Sequence, residues 1–145
     1  MNAFRFPLQK VLELRRTQLE LEEVQYRRQL AMLTDLDRER TELEAAGKIA
    51  ERQIREWNPV AGSELEALGG FRLYVQRKDV EMAGARAECV KHLERQQAVM
   101  LEARRRLRLL ERLKERRRAE WQAASEKELE ELAAEAYQAK WRRQR

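Results

Sequence analysis

Cys89 and His92 are the single cysteine and single histidine of the chain, and a spacing of three residues lets them share one face of a helix. Thiolate and imidazole are metal ligands, but a structural zinc site takes four, and two do not make one. No serine lies near a possible histidine base, so a nucleophilic triad has no material. Gly47-Lys48 runs on into Ile49 within a helical stretch, and no Gly-x-x-x-x-Gly-Lys-Ser/Thr loop exists to cradle phosphates. Carboxylates are plentiful but scattered along solvated helix faces, whereas a carboxyl pair tuned for acid–base work needs a pocket, which two helices do not offer. The reading is a protein that is not an enzyme, with no catalytic, cofactor-binding or metal-binding residues, in which Cys89 is a small packing residue.

The elements that carry these residues are legible from composition. Charged residues make up 39% of the 145 positions, aromatics only 6%, and there are five glycines and two prolines. That mixture belongs to long helices. A hydrophobic share of 43% buries a stripe rather than filling a globular core, so the expected shape is elongated. The net charge of +5 and pI near 9.6 admit nucleic acid, a membrane surface or an acidic protein as partner without choosing among them. One cysteine excludes an internal disulfide and suits a reducing compartment. The longest apolar runs, such as Leu30–Leu33, are far short of the roughly 20 residues that span a bilayer. With no secretory signal at the N-terminus either, the expected location is the cytoplasm.

Breakers divide the chain. Pro7 sits where a helix could begin, since proline at the first helical position loses no needed hydrogen bond. Asn58-Pro59-Val60-Ala61-Gly62 is the only clear turn, and Ser63 with Glu66 then reads as a capping box. The expectation is one all-α domain over residues 1–145: a helix over about 7–57, a turn over 58–62, and a longer helix over about 63–141. Gly69-Gly70 weakens the start of the second helix and makes a kink plausible.

Both helices carry a seam of 3–4 spacing. In the first it is Leu12, Arg15, Leu19, Glu22, Tyr26, Gln29, Leu33, Leu36, Arg40, Leu43, Gly47, Ala50, Ile54 and Trp57. In the second it is Leu68, Phe71, Val75, Lys78, Met82, Ala85, Cys89, Leu93, Gln96, Met100, Ala103, Leu107 and Leu110, with a stutter at Ala85, Cys89 and Leu93. Folding the second helix back pairs residues whose numbers sum to about 121 or 122. Trp57 then meets Leu65, Gly47 meets Val75, Leu36 meets Ala85, Leu33 meets Cys89, Glu22 meets Met100 and Leu12 meets Leu110. No pair is polar on both sides, and large residues face small ones, as in knobs-into-holes packing. The fold class is a long antiparallel two-helix coiled coil, an α-hairpin complete within one chain and hence a monomer when isolated. A slip of one heptad stays open.

Beyond about Trp121 the second helix has no partner within the chain, yet it keeps a stripe of Trp121, Ser125, Leu129, Leu132, Ala136 and Ala139. It reads equally as a docking helix or a frayed tail. Arginine concentrates just before it, at Arg104, Arg105, Arg106, Arg108, Arg112, Arg116, Arg117 and Arg118. Three readings bear on that cluster: a solvated face with Glu–Arg pairs such as Glu111–Lys114, a phosphate-binding face, and an electrostatic collar for an acidic protein partner. The last is favoured, because aromatics are not interleaved with the arginines as single-strand binding would want. Membrane binding is disfavoured for lack of a free bulky apolar face.

The opening Phe4-Arg5-Phe6-Pro7-Leu8-Gln9-Lys10-Val11-Leu12-Glu13-Leu14-Arg15 resembles the start of the FliJ family of flagellar export proteins. A second likeness is Phe71-Arg72-Leu73-Tyr74-Val75 soon after a turn, and length, charge density and basic bias agree along the chain. Gly69-Gly70 departs from the pattern. The resemblance implies a cytoplasmic part of the type III export apparatus, peripheral to the inner membrane, with an antiparallel coiled coil similar to that of a rotary ATPase gamma subunit. It implies a stalk within the hexameric FliI-like export ATPase, linked to the FlhA-like export gate and, through roles assigned to family members, to export chaperones. By motif position Phe71, Tyr74 and Val75 become gate-contact candidates, and the arginine cluster the ring-contact candidate. Phe4, Phe6, Leu8 and Leu12 would pack the open end against Leu110, Leu113 and Arg117. The alternatives are an injectisome stalk, a generic scaffold that dimerises in parallel, and a nucleic-acid-binding coiled coil.

Overall fold

The computed structural model describes residues 2–56 and 61–145, and shows two helices with no strand among the described residues: α1, Gln9–Glu56, and α2, Gly62–Arg143. They form an antiparallel hairpin in which α2 is the longer. Trp57 and most of the expected turn lie outside the described residues.

Both helix starts differ from expectation by local hydrogen bonding. Pro7 and Leu8 form a turn ahead of α1, where the Gln9 N–H donates to the Phe6 carbonyl at 3.1 Å and the Leu12 N–H to the Leu8 carbonyl at 2.9 Å. At α2 the capping box is not Ser63 with Glu66. The Ala61 carbonyl already accepts from the N–H groups of Glu64 (3.1 Å) and Leu65 (3.2 Å), which makes Ala61 the cap. Glu64 then stands at the third helical position, and its carboxylate accepts from the Ala61 N–H at 3.3 Å. This is half of a capping box, and Glu64 also places negative charge at the positive end of the helix dipole. Ser63 falls inside the first turn instead. α2 runs through Gly69-Gly70 without interruption.

The chain groups into two compact units, Met1–Glu20 with Leu101–Arg145, and Leu21–Met100. In the first, Leu12 and Leu107 are buried, flanked by half-buried Arg15, Leu19, Ala103 and Leu110. In the second, Cys89 and Met100 are buried. Around them Glu22, Tyr26, Gln29, Leu33, Leu36, Arg40, Leu43, Gly47, Ala50 and Ile54 of α1 are half-buried. Every described position of the α1 seam is thus covered. A β-carbon on Gly47 would lie 3.8 Å from both Val75 methyls, so these two residues face each other as the pairing requires and no heptad slip occurs. The Cys89 thiol donates to the Gln29 carbonyl at 3.7 Å. Gln96 donates to the Glu22 carbonyl at 3.2 Å and also to its carboxylate.

The α2 seam is corrected at one position. Ala85 is exposed, and Arg86 is half-buried in its place. The run is therefore Lys78, Met82, Arg86, Cys89, so the stutter falls at Lys78, Met82 and Arg86, one heptad earlier than the apolar pattern suggested. Arg86 holds the place because its methylene stem covers the seam while its guanidinium donates to Asp37 at 2.8 Å. Leu65, paired with Trp57 in the sequence reading, is 54% exposed.

Candidate docking surfaces

The eight candidate arginines sit on the stretch of α2 anchored by Leu107 against α1. At 100° per residue, Arg105, Arg112 and Arg116 lie roughly opposite Leu107. Arg108 stands on one flank, Arg106 and Arg117 on the other, and Arg118 returns toward the seam side below the last turn that α1 covers. All but Arg104 are exposed; Arg104 is half-buried. Some are engaged along the helix: Arg106 donates to Glu102 at 3.3 Å, Arg105 approaches the same carboxylate at 3.9 Å, and Arg117 pairs with Glu120 at 3.7 Å. Such exposed pairs contribute about 0.3–0.5 kcal/mol each and leave the guanidinium available. Arg108, Arg112, Arg116 and Arg118 make no ion pair with a described residue. The Glu111–Lys114 pair of the sequence reading is replaced by a link to the other helix, Lys114 donating to the Gln9 side-chain oxygen at 2.7 Å.

The segment ahead of α1 lies against the same part of α2. Phe4, Phe6 and Leu8 line a groove with Leu113, Arg117 and Trp121. The Phe4 and Trp121 rings meet with centroids 5.9 Å apart and planes at 49°, and the Trp121 indole N–H donates to the Asn2 carbonyl at 3.1 Å. Tilted aromatic pairs of this kind are favoured by the ring quadrupole. The expected packing of the N-terminal residues on Leu113 and Arg117 is therefore present. Its reach to Trp121 was not visible in the sequence.

The gate-contact candidates divide as their register demands. Phe71 and Val75 are half-buried seam residues lining a groove with Gly47 and Glu51. Tyr74 is 51% exposed, its ring stacked on Phe71 at 6.3 Å between centroids. The packing role explains Phe71 and Val75, and only Tyr74 with its neighbour Leu73 offers apolar surface outward.

Cys89 and His92 do share one face, lining a groove of about 630 Å³ with Met32, Leu36 and Ala85 and with Asp35, Glu39 and Glu88 at the rim. No group of three His, Cys, Asp or Glu among the described residues is placed to hold a metal ion. No helix of the described residues is long and apolar enough to cross a membrane. Sequence reasoning missed the ion pairs that clasp the helices beside the seam: Arg40–Asp79 at 2.6 Å, Arg86–Asp37 at 2.8 Å and Arg72–Glu51 at 2.8 Å. Opposite charges flanking the seam at matching heights were the available signal. Comparison with known proteins returns no match to a family model, a curated protein or a solved structure.

Proposed function

We propose that the chain is a non-enzymatic stalk and coupling component of a flagellar protein export machinery. In this reading it docks in the centre of a FliI-like ATPase ring and links that ring to an FlhA-like gate. The observation that carries it is the placement of the arginines: they are spread around α2 rather than gathered on one face, and four have no ion pair with a described residue. A helix inside a ring is met from several sides at once, and charge arranged around it suits that contact better than contact with one flat partner. The FliJ-like N-terminal residues support the same reading, because Phe4 and Phe6 brace the helix stretch that bears the arginines. One asymmetric hairpin within a symmetric ring biases which ATPase subunit occupies which state, and the chain needs no chemistry of its own. Tyr74 is the gate contact on this view, with Phe71 behind it.

The test is co-purification with the cognate export ATPase, followed by ATPase assays with and without the chain. The unaltered chain is expected to be retained and to stimulate turnover. Changing Arg104, Arg105, Arg106 and Arg108 together to Glu is expected to abolish stimulation while helix content by circular dichroism stays unchanged. Stimulation that survives the four changes removes the collar. Salt-dependent retention on DNA in place of ATPase binding favours the nucleic-acid alternative.

A further inference from the structure

α2 outlasts its partner. The last described contacts of the N-terminal segment with α2 reach Trp121, and every residue from 126 to 145 is exposed, although the helix continues to Arg143. Leu129 and Leu132 are 60% and 55% exposed. They belong to the continuing 3–4 stripe Ser125, Leu129, Leu132, Ala136, Ala139, Arg143, whose spacing reads the same in both directions about residue 134. Charge is divided along this stretch: residues 126–135 hold five glutamates against Lys127, and residues 140–145 hold only basic charges. Glu126, Glu128, Glu130, Glu131 and Glu135 precede Lys140, Arg142, Arg143 and Arg145, and none of the five glutamates makes an ion pair with a described residue. Lys127 stands three and four residues from Glu130 and Glu131, but the basic residues from Lys140 onward lie five or more residues from every one of the glutamates, beyond the spacing that pairs opposite charges along one helix.

We propose that this end of α2 pairs with the same segment of a second copy, antiparallel and about a two-fold axis at residue 134. In that arrangement Leu129 faces Ala139 of the other copy and Leu132 faces its Ala136, so each large residue meets a small one. Beside the stripe, Glu128 meets Arg142 and Glu126 meets Lys140, each pair twice by symmetry. On the flank of Glu128 and Arg142, Glu135 meets Glu135 of the second copy at the axis, the one like-charge contact beside the stripe. A parallel pairing would set the acidic block on itself along its whole length. Two leucines per chain make a small seam, so the dimer is a reversible association of hairpins already folded, and it weakens with added salt.

Sedimentation equilibrium of the full chain tests this at low salt. The apparent mass is expected to rise from 17.4 kDa toward twice that value as concentration increases to about 1 mM. Leu129→Glu with Leu132→Glu is expected to hold the chain at monomer mass with its helix content intact. A Glu126→Lys, Glu128→Lys variant is expected to stay monomeric alone, and to dimerise when mixed with a Lys140→Glu, Arg142→Glu variant. Chains carrying Leu129→Cys are expected to form disulfides with chains carrying Ala139→Cys in preference to their own kind; Cys89, being buried, does not compete. Monomer mass at every concentration overturns the proposal. So does preferential disulfide formation between two Leu129→Cys chains, which is the mark of a parallel pair.

Discussion

Arg40 holds Asp79 by two prongs across the hairpin, Nε to Oδ1 at 2.6 Å and Nη2 to Oδ2 at 3.2 Å. A planar guanidinium against a planar carboxylate fixes both distance and angle, which a lysine in its place would not. Arg40 thus fills a seam position with a charged side chain whose charge is answered from the facing helix.

That pairing makes stability depend on pH in one direction. The hydrogen bond from Arg40 lowers the Asp79 pKa from its ordinary value near 3.8, with the Arg40 charge acting the same way and partial burial opposing. A carboxyl whose folded value is lowered adds stability that is full above its unfolded value and is lost as pH falls through the folded one. Thermal unfolding of the chain and of Asp79→Asn is therefore expected to differ at pH 7, with the variant melting lower, and the gap is expected to close as pH falls below the ordinary carboxylate value and through the lowered folded one. A gap that persists unchanged at low pH would locate the effect in side-chain packing instead.

The glycines of α2 yield a second prediction. A β-carbon at Gly69, Gly70 or Gly84 meets nothing within 4 Å, and all three lie within the continuous helix. Glycine in a helix interior costs about 1 kcal/mol against alanine. Each Gly→Ala change is expected to stabilise by about that amount in urea titration, nearly additively for Gly69 and Gly84, which are far apart. At Gly47 the new methyl reaches the Val75 methyls at ordinary contact distance, so Gly47→Ala is also expected to stabilise.

Apolar spacing of three and four made the α1 seam readable, because each turn that must be covered repeats the same residue choice. The Gly47–Val75 pairing followed from it once the turn was placed. The reading failed where coverage comes from a charged residue. Ala85 outscored Arg86 as a seam residue, since no apolar pattern records that an arginine stem can cover a helix while its head finds Asp37. It failed again at Ala61, which has no capping side chain and is chosen as cap by the reach of Glu64. The arginine cluster was plain as composition and its spread around the helix follows from a seam that already held Leu107, but which of the arginines are engaged by Glu102 and Glu120 was not legible. The tail was undecidable because amphipathic spacing alone does not say whether an uncovered helix stays formed, and here it does, to Arg143.

Cys89 offers a chemical check of the register. Its thiol is buried and directed at the Gln29 carbonyl, one turn from Leu33 on the same seam. Alkylation of the native chain is expected to be slow and to accelerate in urea. Leu33→Cys is expected to form an internal disulfide with Cys89 under mild oxidation, seen as a shifted band without reductant. Failure to form that band, with both thiols reactive after unfolding, would contradict the pairing.

Leu12 and Leu129 are the same residue type on successive parts of the hairpin's apolar stripes, and they predict opposite outcomes. Leu12 is 1% exposed, the most deeply buried large side chain described, and its removal opens a cavity that helix packing around Leu107 does not readily close. Leu12→Ala is expected to cost about 2–5 kcal/mol. Leu129 is 60% exposed and has no covering helix within the chain, so Leu129→Ala is expected to change the stability of the dilute monomer by less than about 0.5 kcal/mol. Urea unfolding of both variants at low concentration decides the matter. A large loss at Leu129 would mean that the end of α2 packs within its own chain, and a small loss at Leu12 would mean that the N-terminal end of α1 contributes little to holding the hairpin closed.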